Sequence, residues 1–166
     1  MDRTVMALAE KPVDAQRIID DLTSLCVCDR SDISLVARDD SQQGSGVLSE
    51  AARATGQLAA AAGAAAASTL GSMLGAGSRA MTRNVSGFGV LNAFGQLGGM
   101  LSRTALATAE DLGKAFKDLG VEGELAREHA EALRQGGILV VVHAKTGKMA
   151  ECARRVMATH GTVPAQ

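Results

Sequence analysis

RQGGILVVV, residues 134 to 142, holds the sharpest change of character in the chain: two glycines, then five apolar side chains in a row. Gly136 and Gly137 stop a helix, because the left-handed turn that closes a helical C-terminus carries no steric penalty there. Ile138 to Val142 has no polar member, which predicts a strand covered on both faces. Upstream, Leu125, His129, Ala132 and Leu133 recur at three- and four-residue spacing, the stripe of a helix. Downstream, Met149, Cys152, Ala153, Val156 and Met157 line one side of a second helix, Gly147 to His160, which Gly161 ends. Thr162 and Val163 follow as a marginal last strand.

The N-terminal part has the same logic. Arg3 to Ala9 (RTVMALA) is a short apolar run ended by Glu10 and Lys11, and Pro12 suits the first turn of a helix. Ala15, Ile18, Ile19, Leu22, Leu25 and Cys26 then form an apolar stripe, with Asp14, Arg17, Asp20 and Asp21 on the other side. DISLVAR, Asp32 to Arg38, alternates Ile33, Leu35 and Ala37 with Ser34, Val36 and Arg38, the pattern of a half-exposed strand. A ferredoxin-like sheet has strands one and three in the centre and two and four at the edges. The continuously apolar runs are the first and third here, so the expected fold is α+β: a ferredoxin-like β-α-β…α-β-α-(β) sheet domain of residues 1–40 and 106–166.

Residues 41–105 are then an insertion between strands two and three. Ala54 to Ser78 carries no charge for 25 residues and Asn84 to Ser102 none for 19. Gly71 and Gly75 lie four apart, as do Gly95 and Gly99, while Gly56 and Gly63 lie seven apart, a spacing that lets helix backbones approach closely. Both ends must return to one sheet, which predicts a helical hairpin turning near Arg79 to Ser86. SQQGSG, Ser41 to Gly46, is a flexible entry, and Thr108 ahead of Glu110 and Asp111 starts a helix.

Composition narrows the function. The net charge is −1 and aromatic residues are 2% of the chain, so neither a basic stripe nor a stacking surface for nucleic acid is present. The acidic excess lies in residues 1 to 40, nine acids against five bases. No signal-peptide core precedes Glu10, which makes the cytoplasm the expected compartment and the three cysteines reduced thiols. Both uncharged segments are long enough for a bilayer, but Ala and Gly gain little on transfer to lipid; a membrane surface is the weaker alternative to self-association.

No catalytic signature accompanies these elements. The chain has no GxSxG elbow, no P-loop and no HExxH pair, and its three histidines fall singly on different elements. Cys26-Val27-Cys28 could offer two thiolates to a soft metal, although no second ligand pair follows. The plainer reading makes Cys26, Cys28 and Cys152 small apolar fillers.

DISLVAR after a first helix, the Ala/Gly-rich middle, Gly120-Val121 before an acidic helix, and RQGGILVVV before a final helix together resemble bacterial general stress proteins of the heat-induced YflT type. The likeness spans residues 3 to 40 and 115 to 161, and it implies a stress-associated domain without assigning catalytic residues. The expectation is a non-enzymatic structural or interaction protein without cofactor. It forms a homo-oligomer, as a ring or filament, through small and apolar residues of the hairpin: Gly56, Gly63, Leu70, Gly71, Leu74, Gly75, Leu91, Phe94, Gly95 and Gly99. The alternative is a ferredoxin-like regulatory module that binds a small ligand or a soft metal.

Overall fold

In the computed structural model, residues 3–38, 73–74, 80–86, 89–103 and 106–160 are described. They form a mixed α+β structure whose core is one five-stranded antiparallel sheet. The strands are β1 (Arg3–Ala9), β2 (Ile33–Arg38), β3 (Ala80–Val85), β4 (Gly89–Phe94) and β5 (Ile138–Ala144). Their spatial order is β1-β5-β2-β4-β3. The helices are α1 (Pro12–Leu25), α2 (Gln96–Leu101), α3 (Ala109–Asp118), α4 (Gly123–Arg134) and α5 (Gly147–Thr159).

The two-residue period of the strands divides the core. Val5, Ala7, Leu35, Val140 and Val142 turn to one face and meet Ile18, Ile19 and Leu22 of α1 and Ala150, Ala153 and Met157 of α5. Met6, Val36, Leu139 and Val141 turn to the other and meet Leu97, Phe116 and Leu133 of α2, α3 and α4. The ILVVV run is buried at every position, as its composition requires, because it lies between β1 and β2 with helices on both sides.

Two expectations are corrected. Strand β2 is buried from Ile33 through Ala37 rather than half-exposed, since it is an interior strand paired with β5 on one side and β4 on the other. The segment Asn84 to Ser102 is no helical arm: it contains the end of β3, all of β4 and the short α2. Val90, Leu91 and Phe94 suit a pleated strand, which is buried from Leu91 to Phe94, and the hairpin with β3 widens the sheet beside β2. The first proposed arm, Ala54 to Ser78, lies outside the described residues except for Met73 and Leu74, and so does Thr162–Val163.

Gly95 shows how tightly this region is seated. It takes φ +85° just before α2, and a Cβ there would stand 2.6 Å from the Ile33 carbonyl oxygen. Among the described residues, no helix is long and apolar enough to cross a membrane.

A disulfide-fastened cleft at the end of the sheet

Helix α1 ends at Cys26, whose N–H donates to the Leu22 carbonyl. Cys26 is joined by a disulfide to Cys152 in the second turn of α5, across a sequence separation of 126 residues, with the Cα atoms 5.6 Å apart. The expectation of three reduced thiols is therefore corrected. Adjacent helices α1 and α5 place the buried Cys26 and the half-buried Cys152 within bonding reach, a proximity that no local spacing in the chain announces. Cys26 and Cys28 do lie in the apolar core, with Cys152 packed against it, but Cys26 and Cys152 do so as a cross-link, and the soft-metal reading loses the Cys26 thiolate in this state. Among the described residues, no group of three or more Cys, His, Asp or Glu side chains converges as a metal site.

The next two residues carry the consequences. Val27 adopts φ +53° and is 89% exposed. A β-branched side chain resists the left-handed region, so this turn is held by its neighbours rather than by its own preference. Cys28 is a buried free thiol whose sulfur approaches the Cys26 carbonyl at 3.8 Å. Its pKa is pushed up by burial first, then by the carboxylates of Asp32 and Asp29.

Asp32 closes the short 3-10 turn Arg30–Asp32 at the mouth of β2 and is only 2% exposed. Lys145, just beyond β5, donates to it at 2.8 and 2.9 Å. That hydrogen bond, reinforced by the charges of Asp32 and Asp29, holds the ammonium pKa above its ordinary value. Thr146 then caps α5 by accepting the Met149 N–H at 3.2 Å. Between the α1 end and the α5 start lies an open cleft of about 490 Å³, lined by Val27, Asp29, Asp32, Lys148 and both disulfide cysteines among others.

A second polar pair resembles chemistry but is built for support. Ser34 Oγ lies 3.2 Å from His143 Nε2. Ser34 is fully buried and accepts the Leu97 N–H at 3.1 Å, so it caps α2 from across the sheet. A nucleophile needs an approach path, and this hydroxyl has none.

The proposed assembly residues divide. Gly56, Gly63, Leu70, Gly71 and Gly75 lie outside the described residues. Leu74, Leu91 and Phe94 are buried in the chain's own core rather than offered to a second copy. Gly95 is pressed against β2, and Gly99 is a half-buried residue of α2. What residue patterns missed were Asp32, Val27 and Lys145. An acid directly ahead of an apolar strand was the available signal for Asp32, and Lys145 stands just past the end of β5, the neighbour of β2, at the same end of the sheet.

Comparison with protein-family models, with curated proteins and with solved structures finds no match to this chain.

Proposed function

We propose that this chain is a non-enzymatic regulatory interaction domain whose end cleft is set by the redox state of the Cys26–Cys152 disulfide. The reading sharpens the regulatory-module alternative and rests on one observation: the disulfide ties a turn with a left-handed valine to α5 across the mouth of a cleft. Reduction by a cellular dithiol would transfer two electrons and two protons to the sulfurs and leave the donor as its disulfide. Val27 could then relax, and α1 would part from α5.

The electrostatics favour a switch over a turnover catalyst. Catalytic thiols have depressed pKa values, set by helix N-termini or nearby cations. Cys26 instead caps a helix C-terminus, where the peptide dipole opposes a thiolate, and the Cys28 pKa is raised. At fold level the β1-α1-β2 unit with β5 between its strands, followed by α5, supports a ferredoxin-like plan extended by β4 and β3. Fold alone does not give function. The stress-protein resemblance supplies a context in which a thiol-responsive domain would be useful. Homo-oligomerisation through Gly56, Gly63, Leu70, Gly71 and Gly75 is a separate proposal that rests on the sequence alone.

Limited trypsin digestion of oxidised and dithiothreitol-reduced protein, with thiols counted by mass spectrometry after alkylation, tests the switch. The expected result is one alkylated cysteine before reduction and three after, with faster cleavage at Arg30 and Lys148 in the reduced form. Three free thiols in air-equilibrated protein, or identical digestion patterns, would overturn it.

A further inference from the structure

We infer that the groove between α3 and α4, on the opposite side of the sheet from the disulfide, docks an acidic peptide segment of a partner protein. The groove encloses about 610 Å³. Its floor is made of small residues, Ala109 and Gly113 from α3 and Ala130 from α4. A Cβ built at Gly113 meets nothing within 4 Å, so a partner backbone can approach the helices there.

The rim carries the sign. Lys114, Lys117, Arg127 and Arg134 face two carboxylates, Glu110 and Glu131. Arg134 grips Glu131 with two hydrogen bonds, 2.9 and 2.6 Å, which neutralises that acid. Lys114, Lys117 and Arg127 make no ion pair among the described residues. Asp111 of α3, which feels the charge of Lys114 but does not line the groove, is committed to the Thr108 capping box, where it accepts the Ala107 and Thr108 N–H groups.

Three cations outside any ion pair outweigh the one unneutralised rim acid, Glu110, so the small-floored groove complements an anionic chain and repels a basic one. No aromatic side chain lines the groove, so bases have nothing to stack on, and a carboxylate-bearing peptide suits it better than a nucleic acid.

Fluorescence anisotropy of a labelled oligoglutamate peptide on the full chain tests this, with oligolysine and a single-stranded DNA of equal charge as controls. Oligoglutamate alone should bind. The double variant Lys117→Glu/Arg127→Glu should weaken binding by about tenfold or more. Gly113→Leu, which fills the floor without changing charge and raises helix propensity, should weaken it comparably while circular dichroism stays unchanged. Unaltered binding by Gly113→Leu would overturn the groove, and equal binding of the DNA would overturn the peptide. Self-association of the wild-type chain that the same variants abolish would assign the groove to a second copy and overturn a foreign partner.

Discussion

The two faces of the sheet are secured by different means. On one, α1 and α5 are tied through Cys26–Cys152, and Lys145 anchors the buried Asp32 beside them. On the other, α2, α3 and α4 have no covalent link; they rest on apolar contact around Phe116, on the Ser34 cap of α2 and on the Thr108 capping box of α3. The first face can thus be loosened by a reductant, a change of chemistry, whereas the second answers only to packing and protonation. The cleft lies with the first and the cationic groove with the second, so one face is suited to respond and the other to hold a shape.

Reduction should have the largest effect and is the most direct way to break this contrast. A cross-link spanning 126 residues of sequence removes about 4–5 kcal/mol of chain entropy from the unfolded state. The urea midpoint of reduced protein, or of Cys152→Ser, should fall by that amount divided by the denaturant slope. Amide exchange should accelerate in α1 and α5 well before α3 and α4. Equal acceleration in all five helices would show that the faces are one cooperative unit.

Phe116→Ala strikes the other face. Phe116 is fully buried among Leu112, Ala126 and Leu133, and is the largest fully buried side chain of the described residues. Truncation should cost about 3–4 kcal/mol in transfer and cavity terms. Urea unfolding should report the loss, and the contrast is sharpened if α3 and α4 exchange faster while α1 and α5 keep their protection. A loss under about 1 kcal/mol would mean the helices collapse onto the gap and the second face is plastic.

These two faces were unequally legible in the sequence. The responsive face is built from local patterns: the apolar stripe of α1, the ILVVV run of β5 and the stripe of α5 each point to their own element. Its disulfide was not legible, since Cys26 and Cys152 become neighbours only when α1 and α5 lie side by side on the sheet. The supporting face was partly hidden. In Asn84 to Ser102 the missing charges concealed a change from two-residue to helical period, and β4 and α2 merged into one apparent arm. Asn84, Ser86 and Gly89, at the facing ends of β3 and β4, are of the residue types that mark a hairpin. The double coverage of β2 could not be read from its alternation, because Ser34 is buried as the partner of an α2 amide.

The smallest effect concerns His129, in the supporting face. It is buried on α4 beside Ala126, Ala130 and Leu133, and its Nε2 has no hydrogen-bond partner. Burial holds its pKa below the ordinary 6.5, partly offset by the field of Glu128. The unfolded chain therefore binds a proton near pH 6.5 that the folded chain declines. Stability is fully present above that pH and declines as the pH falls below it, until the folded histidine itself protonates. The slope cannot exceed about 1.4 kcal/mol per pH unit, the limit for one proton. Urea midpoints of wild type and His129→Met, measured from pH 7.5 down to 5.5, should diverge, with the wild type losing more. Exchange at low pH should rise in α4 and α3 and leave the disulfide-tied helices protected. Parallel pH profiles for the two proteins would place the proton uptake elsewhere and remove protonation as a lever on this face.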